Sequence, residues 1–98
     1  MVTKAYVDYI KSDKWQRKRA EYFAVYGRKC QACGTTRGPI HVHHLSYAHL
    51  GNEPLTDLMG LCVKHHKAVT TIYRRNRRRG LRRVTMEYVT KIRKSKRP

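Results

Sequence analysis

Residues 41–44 read HVHH, and residues 62–66 read CVKHH. The two clusters hold five of the chain's six histidines. Around the first, IHVHHL (40–45) is short, β-branched and alternating, which predicts a strand. LMGLC (58–62) predicts a second strand. The stretch between them, SYAHLGNEPLTD (46–57), is punctuated by Gly-Asn and Pro and predicts a loop. VKHHKAVTTIYRRNRRR (63–79) predicts a helix that becomes strongly basic and stops at Gly80. One histidine cluster therefore falls at a strand end and the other at a helix start.

Cysteines frame the same region. The chain has three, Cys30, Cys33 and Cys62. An odd number argues against a pure disulfide framework. Cys30-x-x-Cys33 and Cys62-x-x-His65 are two pairs with a two-residue gap, which lets both members of a pair bend onto one tetrahedral ion. Three thiolates and one imidazole suit Zn²⁺. Gly34 after the second cysteine fits a knuckle, where positive φ is wanted. The plainer alternative is three buried cysteines with no metal, but then two ligand spacings coincide by chance.

Ninety-eight residues make one small domain, or one domain with tails. Phe and Trp appear once each, and Tyr seven times. So small a core gains much from a metal crosslink. Twenty-three Lys and Arg against six Asp and Glu give a formal charge of +17. Such a chain calls for an anionic partner. Nucleic acid is the commonest, ahead of an anionic membrane or an acidic protein. No apolar run approaches the roughly 20 residues that cross a bilayer. MVTKAYVDYI lacks the apolar stretch of a signal peptide. The expected location is the cytoplasm, or a host's cytoplasm if the chain is viral.

Upstream, SDKWQRKRAEYFAVYG (12–27) predicts a helix with Ser12 as N-cap and Gly27 as the stop. Trp15, Tyr22, Phe23 and Tyr26 form one aromatic stripe, read as core packing before base stacking. Downstream, VTMEYVTKIRKSK (84–96) predicts a last helix with Val84, Tyr88 and Ile92 on one face, and the final KSKRP is expected to fray. From Arg74 to Arg97 there are twelve Lys or Arg and one acid, Glu87. A solvated tail is one reading. A run this pure more often binds phosphate, so Arg74, Arg75, Arg77, Arg78, Arg79, Arg82 and Arg83 are the candidate nucleic-acid contacts.

His66 follows the zinc ligand His65, so the zinc would fix its position. If the end of the first strand faces the start of the helix, His43 and His66 can share a second ion with open positions, as a catalytic metal requires. His44, unligated, could then take a proton from water; an unperturbed pKa near 6.5 suits a general base. His41 shares a strand face with His43 and is a third ligand, a phosphate contact or a packing residue. His49 reads as a loop residue.

A strand with a histidine pair, a loop, and LxxLCxx[C/H]H running into a helix, all on a CxxC knuckle, resembles the HNH (ββα-metal, His-Me finger) endonuclease family. The resemblance runs from about Tyr9 to Ile72. It is closest to small phage-type HNH proteins, whose YxxSxxWxxxR lead-in is matched by Tyr9, Ser12, Trp15 and Arg19. It implies a zinc-stabilised, treble-clef-like α+β domain with an N-terminal helix and a basic helical extension. Residues 1–11 would be lead-in, 12–79 the nuclease domain and 80–98 the extension.

Carried over, His43 and His66 bind the catalytic ion and His44 is the general base. Asp57 stands where the family's middle Asn holds the loop. Thr70 stands where many members carry a further histidine. With two protein ligands, Mg²⁺ or Mn²⁺ fits the second site, and imidazole also suits Zn²⁺ or Ni²⁺. The resemblance implies hydrolysis of DNA to 5′-phosphate and 3′-hydroxyl ends; an arginine near the site, Arg37 or Arg74, could steady the charge on the phosphate. One such unit would nick. Packaging or restriction proteins would be possible partners. The competing expectation is a zinc module that binds nucleic acid without cutting it.

Overall fold

A computed structural model describes residues 3–95. It is a small α+β structure in which helices cover both faces of a two-stranded antiparallel sheet. The elements run α1 (Lys4–Ile10), α2 (Asp13–Tyr26), β1 (Ile40–His44), a 3₁₀ turn (Leu55–Asp57), β2 (Leu58–Cys62), α3 (Val63–Arg75), a second 3₁₀ turn (Arg77–Arg79) and α4 (Leu81–Ser95). No helix among the described residues is long and apolar enough to cross a membrane.

The strands pair with Val42 opposite Gly60, His43 opposite Met59 and His44 opposite Leu58. Two strands alone are marginal in water, so packing on both faces sustains them. Because side chains alternate, one face presents Val42, His44, Leu58 and Gly60 to α2. There Trp15 and Tyr22 pack on Val42 and Leu58. The other face presents His41, His43, Met59 and Leu61 to α3 and α4, and Val69 and Val89 close over Met59 and Leu61.

Local chemistry explains the element ends. The Ser12 hydroxyl accepts from the Trp15 N–H at 3.2 Å, and Gly27 ends α2 at φ 82°. The aromatic stripe on α2 is core at Trp15 and Tyr22, while Tyr26 is exposed. The Tyr22 hydroxyl accepts from the Gly60 N–H at 2.8 Å. A Cβ on Gly60 would lie 2.9 Å from the Lys29 carbonyl, so β2 needs a glycine where the segment leading into the knuckle passes it.

Helix α1 carries no expectation from sequence. It starts at Thr3, whose hydroxyl accepts from the Tyr6 N–H at 3.1 Å. Helix α3 ends at Arg75 rather than continuing through the basic run, because Asn76 leaves helical geometry. The segment from Gly80 onward enters the core: α4 packs on α3 and buries Val84, Thr85 and Val89. The expected fraying of KSKRP falls largely on residues 96–98, outside the described residues.

Candidate functional site

The knuckle after α2 brings Cys30 and Cys33 to the start of α3. Gly34 turns the knuckle at φ 79°, and its N–H donates to the Cys30 carbonyl at 2.8 Å. The Gln31 N–H donates to the Gly60 carbonyl at 2.8 Å and ties the knuckle to β2. Cys62 precedes α3 without capping it through its side chain, which leaves its sulfur for other use. His65 lies one turn in, with Nδ1 at 3.3 Å from Cys62 Sγ and 3.6 Å from Cys30 Sγ.

The four ligand atoms of Cys30, Cys33, Cys62 and His65 all lie within 4.8 Å of one another. This cluster could hold a metal ion such as zinc, as the paired spacings suggest. Its electrostatics agree. Burial pushes the Cys30 thiol up, but backbone N–H groups and His65 outweigh it and bring the thiol down to about 6. Burial, together with the neighbouring Cys30 and Cys33 sulfurs, pushes Cys62 the other way. Crowded thiolates repel one another, and a cation at their centre removes that conflict.

The histidine pair on β1 divides between the two faces of the sheet. His43 is buried on the α3–α4 side, where its Nε2 lies 3.0 Å from Thr85 Oγ1. His66, at the start of α3, approaches the same side. Its ring centre is 5.0 Å from those of both His41 and His43, and its Nδ1 is 2.8 Å from His41 Nδ1. The direct partner of His66 is thus His41, with His43 beside them and turned to Thr85. Burial, then the neighbouring imidazoles His66 and His44, lower His43 to about 3. Burial, then His41 and His44, lower His66 to about 4. Both rings are therefore neutral at physiological pH, the form that ligates a metal.

His44 points to the α2 side and is only 3% exposed. Its ring is stacked between Trp15, at 4.7 Å, and Tyr47, at 5.2 Å, with Tyr6 edge-on at 6.1 Å. Its Nε2 lies 2.6 Å from Glu53 Oε2. The other oxygen of Glu53 accepts from the Tyr9 hydroxyl at 2.7 Å. Burial pushes the Glu53 carboxyl up, but the hydrogen bonds from Tyr9 and His44 outweigh it and hold the carboxyl below its usual range. A charged Glu53 requires the proton on His44 Nε2, so in the neutral ring Nδ1 is the acceptor nitrogen. Nδ1 has no hydrogen-bond partner among the described residues.

Sequence reading missed Glu53. It is one of six acids in a chain of charge +17 and lies nine residues after His44, in a loop whose other acid is Asp57. That scarcity of acids was the available signal.

Asp57 is clamped rather than open. Its carboxylate accepts from Arg82 Nη2 at 2.5 Å and lies 3.1 Å from His49 Nδ1. Its carbonyl accepts from the Leu45 N–H at 2.7 Å. Asp57 therefore joins the loop to β1 through its backbone and to α4 through its side chain. His49, read from sequence as a plain loop residue, is one of its partners.

The basic candidates also divide. Arg82 holds Asp57 and the Thr56 carbonyl, and Arg79 and Arg83 flank Glu87. Arg74, Arg75, Arg77 and Arg78 are exposed and meet no acid among the described residues. Arg74 lines a cleft beside Tyr47, whereas Arg37 is exposed on the knuckle loop.

No family model, curated protein or solved structure matches the chain, so its chemistry rests on its own side chains.

Proposed function

We propose that the chain is a metal-dependent DNA endonuclease of the HNH (ββα-metal) type, with a zinc-stabilised, treble-clef-like scaffold. The observation that carries this reading is the buried His44–Glu53 pair at the end of β1. A module that only binds nucleic acid needs phosphate contacts and has no use for an oriented imidazole. Glu53 holds Nε2–H, Trp15 and Tyr47 fix the ring plane, and Nδ1 is left to accept a proton.

In this reading Cys30, Cys33, Cys62 and His65 hold zinc and lock the knuckle to α3. His66, with His41 and His43 beside it, would hold a divalent ion, Mg²⁺ or Mn²⁺, with Zn²⁺ or Ni²⁺ also suited to imidazole. Such an ion would supply Lewis-acid stabilisation of the charge that develops on the phosphate. His44 takes the proton of the attacking water. Asp57 keeps the loop and α4 in register with β1. Arg74, Arg75, Arg77 and Arg78 hold the DNA backbone. The products are 5′-phosphate and 3′-hydroxyl ends, and one unit nicks one strand.

A second reading, a non-catalytic zinc-dependent nucleic-acid-binding module, is favoured by one observation: His43 and His44 are both nearly fully buried. Plasmid nicking decides between them. Zinc-loaded protein, freed of other metals, is assayed with and without added Mg²⁺ or Mn²⁺. Nicked circles that appear only with the added ion support the nuclease. Tight DNA binding with no nicking under any ion supports the binding module.

A further inference from the structure

A cleft of about 500 Å³ opens between α1, the loop after β1 and the second half of α3. Its walls carry three phenol rings, Tyr6, Tyr47 and Tyr73, and its rim carries two arginines, Arg74 and Arg77. The volume lies in the usual range for a small-molecule or nucleotide site, roughly 300–1,000 Å³. Tyr6 and Tyr47 meet edge to face at 5.5 Å, and Tyr47 is 49% exposed. Burial, then the nearness of Tyr6 and Tyr73, pushes the Tyr47 phenol up to about 12, so it stays a neutral ring.

From these residues we infer that the cleft holds one unpaired nucleotide of DNA, its base stacked on the tyrosine walls and its phosphate against Arg74 and Arg77. Aromatic walls take any base because every base has a π-face. A continuous duplex cannot offer that face, since its bases are stacked on one another. The two arginines meet no acid among the described residues and complement a phosphate. Tyr47 and Tyr6 also border His44. Thr70 on the cleft wall donates to the His66 carbonyl at 2.9 Å, one turn along α3. The cleft thus adjoins His44. The preferred DNA is then single-stranded, or duplex with a flap, gap or unpaired base. The cleavage consequence rests on the nuclease reading; the binding does not.

The test is a fluorescence titration of zinc-loaded protein without Mg²⁺ or Mn²⁺. The probes are a single strand carrying 2-aminopurine and the same strand fully paired. Expected are tighter binding of the single strand and a change in 2-aminopurine emission on binding. Tyr73→Ala should weaken single-strand binding by about 5- to 150-fold, the range for removing one stacked ring, and leave duplex binding within about twofold. Tyr73→Phe should bind as the parent. Arg74→Gln should lower the salt slope on single strand by about 0.7.

Equal affinity for both DNA forms, or a Tyr73→Ala effect that is the same on both, overturns the inference. Nicking that proceeds without any single-strand preference overturns it alone. Single-strand preference without nicking under any ion retains it and removes the nuclease reading instead.

Discussion

Glu53 Oε2 and His44 Nε2 lie 2.6 Å apart, and neither side chain is more than 3% exposed. A carboxylate is seldom buried so deeply without a charged or strongly donating partner. Here it has two donors, Tyr9 and His44. With Tyr9, the pair ties α1 to the end of β1 and to the loop that follows it. It both fixes the loop and sets which nitrogen of His44 accepts a proton.

Glu53→Gln tests that relationship. The amide keeps the shape and loses the charge, so circular dichroism should remain native. Nicking should fall by about 10- to 100-fold, as for other groups that orient a working histidine. Acid stability gives an independent readout. Glu53 titrates below the usual carboxylate range in the folded state, so in that window the unfolded chain binds more protons and stability rises with pH. Its contribution is present above the ordinary carboxylate value and is lost as pH falls through the depressed one. The parent should therefore lose stability more steeply than the Gln variant on acidification. Parallel acid limbs in urea melts would show that Glu53 is not held charged.

Zinc removal should unfold the chain. The core clusters are small, and the knuckle meets the rest of the fold at Cys30 and Ala32. Structural zinc contributes roughly 10–16 kcal/mol apparent at neutral pH, comparable to a whole domain's stability. Cys30→Ala or Cys62→Ala should give an unfolded spectrum. The parent should show one zinc per chain by elemental analysis. A native spectrum from metal-free protein would remove the zinc assignment.

Gly60→Ala should weaken the same region without touching a ligand. The new Cβ would meet the Lys29 carbonyl at 2.9 Å, just before Cys30. Backbone must shift there, which costs about 1–3 kcal/mol in a packed core. A lower melting temperature and faster zinc loss to a chelator are expected. Unchanged values would mean that the knuckle gives way freely.

The frame of the fold was open to sequence reading because its signals are local. Alternation marks β1, and Ser12 and Gly27 bracket α2. The two ligand spacings mark Cys30, Cys33, Cys62 and His65. What escaped is tertiary. Helix α1 has seven residues and only Thr3 to announce it. The end of α3 at Asn76 is masked by arginines, which are good helix formers. Glu53 becomes informative only when folding brings Tyr9 and His44 to its two oxygens. The pairing of His66 with His41, and of His43 with Thr85, depends on ring orientation, which spacing does not encode.

The basic surface should separate into phosphate binders and structural clamps. Arg74→Gln, Arg75→Gln, Arg77→Gln and Arg78→Gln should each lower the slope of log K against log salt on duplex DNA by up to about 0.9, the share of one neutralised phosphate. Stability should hardly change. Arg82→Gln should behave differently, because it releases the buried Asp57; its main effect should be a lower melting temperature. Deleting residues 80–98 is a poor test of DNA binding, since it removes Val84, Thr85 and Val89 from the core. Equal effects of Arg82→Gln and Arg75→Gln on both readouts would sink this division.

Proton transfer and metal binding fall on different histidines, and the fold dictates how substitutions can separate them. His44→Ala alone takes one of two donors from the buried Glu53 carboxylate, and leaving a buried polar group short of a partner costs about 1–3 kcal/mol. Lost cutting could then reflect lost folding. The double variant His44→Ala with Glu53→Gln removes the buried charge and should recover part of that stability. Its zinc content and DNA affinity should match those of the parent. Cutting should still fall by about 10²–10⁴-fold, and no concentration of Mn²⁺ should restore it, because the missing function is a proton acceptor. His66→Ala should show the opposite pattern. It removes the imidazole closest to His41 and leaves the His44–Glu53 pair intact. Activity should return in part at high Mn²⁺, with the metal-response curve shifted to higher concentration. If the double variant cuts at the parental rate, His44 is a packing residue between Trp15 and Tyr47, the nuclease loses its base, and the binding module becomes the better account of the chain.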